Sequence, residues 1–118
     1  MQVQQENPIR NPIRNPISEE HARQLWISLA SLLRSYTAAH GLHGSRQATV
    51  ELGDAMIRVR CGERWLELQR QADRLEGWMQ DGRRFQLRWS EDGDLWTEAG
   101  VGLPMDLQAE EWSRELVV

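Results

Sequence analysis

"MIRVRCGERWLELQRQADRLEGWM", residues Met56–Met79, alternates apolar and polar side chains with a period of two. This alternation is typical of β-strands that bury one face. Turn signals at Cys61-Gly62 and around residues 71–73 divide the stretch into three short runs. No helical pattern fits between the runs, so the strands cannot be joined by parallel crossovers. The stretch therefore predicts the middle of an antiparallel β-meander.

The same pattern extends to both sides of this stretch. Further turn signals occur at Gly53-Asp54, Asp81-Gly82 and Asp92-Gly93, about ten residues apart on average. We therefore expect six strands, near residues 47–52, 55–60, 63–70, 74–80, 83–89 and 94–99.

A helix is predicted ahead of the strands, from Ser18 to His40. Ser18 is a suitable N-cap, with Asn15 before Pro16 as the competing cap. The expected apolar face consists of Leu25, Leu29, Leu32, Leu33 and Tyr36, with Trp26 at its edge. Gly41 and Gly44 should end this helix.

The segment GLPMDLQAEEWSRELVV, residues 102–118, is expected to form a loop and then a short helix from about Leu107. Asp106 is the predicted cap, and Ala109, Trp112 and Leu116 form the predicted inner face. The sequence therefore indicates an α+β domain with both helices on one face of a six-stranded antiparallel sheet.

A repeated Asn-Pro-Ile-Arg unit occupies residues 7–18 and marks a change of composition. Each proline fixes its own φ and disfavours helix at the preceding residue. We therefore divide the chain into a flexible arm, 1–17, and a single domain, 18–118. The arm is either a leader without a role or a docking arm that places Ile9, Ile13 and Ile17 in a groove. A sorting signal is the weakest of the three interpretations.

Composition limits the classes of partner. The net charge of −4 argues against nucleic acid and anionic membranes as partners. The single cysteine excludes an internal disulfide and a multi-cysteine metal site. Neither a signal peptide nor a membrane-spanning run is recognisable, so a cytoplasmic location is expected.

Alternation assigns the strand residues to two sheet faces. The expected core face consists of Val50, Leu52, Ile57, Val59, Leu66, Leu68, Leu75, Met79, Phe85, Leu87, Trp89 and Leu95. The opposite face carries Met56, Arg58, Arg60, Trp65, Glu67, Glu76, Trp78, Arg84, Gln86, Arg88, Trp96 and Glu98. Tryptophan and arginine are enriched at binding hot spots, so this second face is the predicted partner-binding surface.

The predicted contact residues on that surface are Trp65, Trp78, Trp96, Met56, Arg58, Arg84 and Arg88. Two other interpretations stay open: arginines can stack on the tryptophan rings and cover them, or the sheet can curl and bury some of the rings. The partner is expected to be another protein, either a different one or a second copy of this chain.

No catalytic constellation is evident, and no cofactor or metal is predicted. His40 and His43 lie near each other at a helix end, but no third ligand is close in sequence. Cys61 is expected to be exposed in a tight turn beside Arg60 and Arg64, without a histidine to activate it.

The order of elements, with WLELQRQADRLEGWMQDGRRFQLRW and the later DLW, resembles that of frataxins. The resemblance covers residues 18–118 and places Trp78 and Trp96 at that family's sheet-surface tryptophans. It implies a helix–meander–helix fold and an acidic first helix and first strand that bind iron. This helix has only Glu19 and Glu20 at its tip, so no iron ligands are transferred.

The favoured function is a non-enzymatic protein-interaction module of chaperone, immunity or adaptor type. The alternatives are a frataxin-like metal or iron–sulfur assembly protein, and a small-ligand sensor with a pocket between helix and sheet.

Overall fold

The computed structural model describes residues 17–42 and 47–117. In this part of the chain one helix precedes a meander of strands and a second helix follows it. In chain order the elements are α1 (Glu19–His40), β1 (Thr49–Leu52), β2 (Met56–Cys61), β3 (Arg64–Gln71), β4 (Arg74–Met79), β5 (Arg84–Trp89), β6 (Asp94–Thr97), β7 (Gly102–Pro104) and α2 (Met105–Val117).

The strands form one antiparallel sheet in sequential order, β1 to β7. The α+β class and the meander are confirmed, and each of the six predicted strands is present within a few residues of its expected bounds. The described chain has a seventh strand, β7, where a loop was predicted. Its Leu103 pairs with Leu95, which places a short strand between the meander and α2.

Helix α1 begins where the sequence predicted. The Ser18 hydroxyl accepts a hydrogen bond from the backbone N–H of His21 at 3.0 Å, which satisfies one of the free donors of the first turn. Gly41 caps the other end, and its N–H donates to the carbonyl of Thr37 at 3.0 Å. The predicted position of Trp26 at the edge of the apolar face was wrong. Trp26 is fully buried, because the β1–β2 turn covers it.

Helix α2 begins two residues earlier than predicted, at Met105, directly after Pro104. Asp106 therefore lies inside the first turn and is not the N-cap, although its side chain accepts a bond from the N–H of Leu107 at 2.9 Å. The predicted inner face of α2 is confirmed, since Ala109, Trp112 and Leu116 are all buried.

The core lies between the two helices and one face of the sheet, which we call the inner face. Nine of the twelve predicted inner-face residues are buried, namely Ile57, Val59, Leu66, Leu68, Leu75, Met79, Leu87, Trp89 and Leu95. Val50 and Phe85 are partly buried against this core. Leu52 is 37% exposed because it lies at the end of an edge strand.

Candidate functional site

The opposite sheet face, which we call the outer face, faces away from the helices. The strand registers arrange its side chains in rows across the strands. We name each row by one member. The Trp65 row contains Thr49, Arg60 and Trp65; the Trp78 row contains Glu51, Arg58, Glu67, Trp78 and Arg84; the Glu76 row contains Met56, Gln69, Glu76 and Gln86; the Arg74 row contains Gln71, Arg74, Arg88, Trp96 and Gly102.

The three predicted tryptophans are spread over this face. Trp65 on β3 and Trp78 on β4 stand in adjacent rows of neighbouring strands, so they are diagonal neighbours. Trp96 lies on β6, two strands from Trp78 and in a different row. All three are half-buried rather than fully exposed. The face therefore presents two aromatic positions, one at each end.

Part of this aromatic surface is covered by the chain itself. The guanidinium carbon of Arg84 lies 5.7 Å from the centroid of the Trp78 ring, which is a cation–π arrangement. The indole of Trp96 lies over Gly102 on β7, where a Cβ would be only 2.5 Å from the ring. Its indole N–H is buried, and no acceptor in the described residues lies within hydrogen-bond distance. Arginine stacking, one of the alternatives expected from the sequence, thus applies to Trp78.

A groove of about 640 Å³ runs over the outer face between the two aromatic positions. It is lined by Gln69, Arg70, Gln71, Arg74, Leu75, Glu76, Gln86, Leu87, Arg88, Trp96, Thr97 and Glu98. A second depression, of about 440 Å³, shares Glu76, Gln86, Thr97 and Glu98 with the first and extends to Trp78 and Arg84. Together they give the outer face a concave surface that reaches from Trp78 to Trp96.

The charges of the outer face are partly paired within the chain. Arg58 lies 3.4 Å from a carboxylate oxygen of Glu67 and 3.7 Å from one of Glu51. The amide of Gln86 donates to Glu76 at 3.2 Å. Arg88 lies 3.9 Å from the buried Asp73 at the β3–β4 turn. The face is therefore polar with embedded rings, as binding surfaces commonly are.

The structure thus places four of the predicted contact residues on this concave surface, namely Trp78, Arg84, Arg88 and Trp96. Met56 and Arg58 lie on the same sheet face, on β2, but line neither depression. Trp65 lies on the same face, diagonally beyond Trp78. The predicted outer face omitted three residues of that face that line the groove, namely Gln69, Gln71 and Arg74. Alternation counted back from Trp78 through Glu76 would have included Arg74.

The three predicted arm contacts have different outcomes. Ile9 and Ile13 lie outside the described residues. Ile17 is described, and it is partly buried against the core of its own domain. Its side chain therefore contributes to the fold that it precedes.

Two predictions about other reactive groups can be compared with the structure. Cys61 was expected to be exposed, and this was wrong: it is 2% exposed, because it is the last residue of β2 and points to the inner face. His40 lies 3.0 Å from Glu110 and so connects α1 to α2, while His43 lies outside the described residues. Within residues 17–42 and 47–117 no group of three or more His, Cys, Asp or Glu side chains has a metal-binding arrangement.

The resolved pKa shifts of carboxyl groups lie in the helical layer and at the β4–β5 turn. The side chain of Arg23 lowers the pKa of Glu20, and Arg114 lowers that of Glu110. The backbone N–H of Arg83 lowers the pKa of Asp81. These charge-assisted hydrogen bonds stabilise the ionised carboxylates and serve the fold rather than the outer face.

A third depression, of about 590 Å³, lies between the end of α1 and β1. It is lined by Arg34, Thr37, Ala38, Gly41, Leu42, Gln47, Ala48 and Val50. The Thr37 hydroxyl donates to the carbonyl of Leu33 at 2.6 Å and so is already engaged in the helix. Arg34 is the one charged side chain among the described lining residues, which gives this depression little polar specificity.

Comparisons of the chain with protein-family models, with curated proteins and with solved structures found no match. These comparisons add no support to the resemblance to frataxins, which rests on the order of the elements and on the short stretches quoted above. In the described part of the chain, neither helix combines the length and apolarity needed to cross a membrane.

Proposed function

We propose that this protein is a non-enzymatic protein-interaction module that binds a partner protein with the outer face of its sheet. The observation that carries the proposal is the concave surface between Trp78 and Trp96 on a sheet face that neither helix covers. Aromatic rings grouped on an open sheet face commonly mark an interaction site.

The side chains of this surface suit binding to another protein. Trp78 and Trp96 offer large, half-buried rings, and Arg74, Arg84 and Arg88 offer planar donors around them. Rings and guanidinium groups of this kind contribute most of the binding energy at many protein interfaces. A chaperone, an immunity protein or an adaptor would use such a face without any catalytic group.

Site-specific photo-crosslinking in cells of the source organism tests the proposal. A photoreactive amino acid is placed at Gln69, in the groove, and at Ser31, on the exposed side of α1. We expect a discrete crosslinked partner from position 69 and none from position 31. Equal crosslinking at both positions, or none at position 69, contradicts the proposal.

The partner identified in this way is then purified and its affinity measured directly. Trp78→Ala and Trp65→Ala should weaken binding, whereas Ser31→Ala should leave it unchanged. Light scattering on the full chain, and on a chain that starts at Ser18, decides whether the partner is a second copy. If both are monomers, the partner is a different protein; if only the full chain is a dimer, residues 1–17 hold the copies together.

A further inference from the structure

Charged side chains are arranged differently on the two halves of the outer face, β1–β3 and β4–β6. On β1–β3, opposite charges stand directly across from each other: Arg58 is opposite Glu51 on one side and Glu67 on the other. Arg58 lies 3.7 Å from Glu51 and 3.4 Å from Glu67, so its charge has a carboxylate partner within the chain on both sides.

On β4–β6 the registers bring like charges together instead. Arg74 stands directly opposite Arg88 in the Arg74 row. Glu76 stands opposite the neutral Gln86 in the next row, and Glu98 lines the same groove. Like charges directly opposite each other on a sheet destabilise it. Arg88 lies 3.9 Å from Asp73 at the β3–β4 turn, whereas the side chain of Arg74 is exposed at the groove.

The sign of the charge therefore alternates along the strands of this half. Arg84 in the Trp78 row is positive, Glu76 in the next row is negative, and Arg74 with Arg88 in the third row is positive. Consecutive rows are two residues apart, which is about 7 Å in a β-strand. An extended peptide presents every second side chain to the surface beneath it, and so repeats at the same spacing.

We propose that the partner lays an extended segment over β4–β6, parallel to the strands, whose facing side chains are acidic, basic and acidic in turn. This inference rests on the proposed function and specifies its partner. One acidic side chain would pair with Arg74 and Arg88 beside Trp96, and the other with Arg84 over Trp78. Guanidinium groups bind carboxylates with two parallel hydrogen bonds, which fixes the direction of approach.

The alternating sign of the charge in successive rows favours a protein segment over a polyanion as the ligand. A chain of phosphates would bring a negative charge to the middle row, where Glu76 and Glu98 already lie. The net charge of −4 would repel it further. A peptide with a basic side chain between two acidic ones places the opposite charge over each of the three rows.

The test uses two synthetic peptides and the indole N–H signals of the protein in NMR spectra. The first peptide is Thr-Glu-Thr-Arg-Thr-Glu-Thr, and the second, Thr-Arg-Thr-Glu-Thr-Arg-Thr, inverts its charges. At low ionic strength, where surface charges are least screened, the first should shift the signals of Trp78 and Trp96 and leave that of the buried Trp26 in place. The second should bind several-fold more weakly.

A pair of matched variants locates the effect. Arg74→Glu, in the Arg74 row, should weaken binding of the first peptide several-fold and strengthen binding of the second. Arg60→Glu, in the Trp65 row outside the groove, makes the same charge change and should leave both affinities nearly unchanged.

Equal binding of the two peptides, absence of any shift, or equal effects of the two variants overturns the inference. None of these results affects the wider proposal that the outer face binds a protein, because crosslinking from position 69 tests that separately. A partner captured at position 69 can be compared for its affinity to the Arg74→Glu variant and to the natural chain. Equal affinities would support the proposed function and contradict the proposed charge pattern.

Discussion

The ring of Phe85 lies over the α-carbon of Gly77 on the neighbouring strand. A Cβ built at Gly77 would be 2.2 Å from two atoms of that ring, well inside van der Waals contact. The two residues are directly opposite in the register of β4 and β5, on the inner face. Phe85 also stacks on Trp112 of α2, with ring centroids 5.4 Å apart. The absent side chain of Gly77 thus lets α2 close on the sheet.

Gly77→Ala should therefore destabilise the protein by about 1–3 kcal/mol, the usual cost of an overfilled core. The Phe85 ring would have to move, and its stacking on Trp112 would be lost. Urea unfolding measures the change, with Gly53→Ala as control, because a Cβ there meets only one backbone oxygen at an ordinary 3.5 Å. If Phe85→Leu does not reduce the cost of Gly77→Ala, the crowding explanation fails.

Much of this fold follows from the alternation of apolar side chains. A period of two from Ile57 to Trp89 predicts both the strands and the face that meets the helices, because a shift of one residue would expose the whole core. The short strand β7 has no such signal. It spans three residues and ends in Pro104, so neither alternation nor strand propensity was available to predict it.

The candidate site was less predictable than the fold. Alternation predicts which residues share the outer face, but it does not give their row, because the row depends on how many residues each turn uses. The β4–β5 turn, residues 80–83, includes Gly82 at a φ of 92°, and the length of this turn sets Arg74 opposite Arg88. The burial of Trp26 depends in the same way on where the β1–β2 turn meets α1.

Trp26→Phe should cost about 2–4 kcal/mol in the free energy of unfolding. The indole N–H donates to the carbonyl of Gly53 at 2.9 Å, and the ring packs edge-on to Trp89 with centroids 6.3 Å apart. The variant loses that hydrogen bond, worth about 1 kcal/mol, and leaves a cavity beside Trp89. Trp65→Phe, on the outer face, is the control and should cost less than about 1 kcal/mol. Equal losses for the two variants would contradict the burial of Trp26.

Gly102→Ala should displace the Trp96 indole from β7. A Cβ at Gly102 would be 2.5 Å from the ring, and the ring can move outward because that side of it faces the groove. In NMR spectra the indole N–H signal of Trp96 should therefore shift, while that of Trp78 should stay in place. Gly53→Ala is again the matched control. An unchanged Trp96 signal would mean that the indole does not rest on Gly102.

Glu110 should make a contribution to stability that disappears in acid. Its carboxylate accepts a hydrogen bond from Arg114 and lies 3.0 Å from His40 across the helix pair, and these contacts, with Arg114 first, lower its pKa from the ordinary 4.5. Because the folded-state pKa is the lower one, the contribution is complete above the ordinary value and is lost as the pH falls through the lowered value.

Urea midpoints of the natural chain and of Glu110→Gln should therefore differ at pH 6 and converge as the pH falls below about 4. Glu91→Gln, in the exposed β5–β6 turn, removes an equal charge and serves as the control. The Glu91→Gln variant should show no comparable convergence, because the contacts with His40 and Arg114 are made by Glu110. A difference for Glu110→Gln that stays constant down to pH 3 would show that packing between the helices, rather than the ionised carboxylate, accounts for the effect.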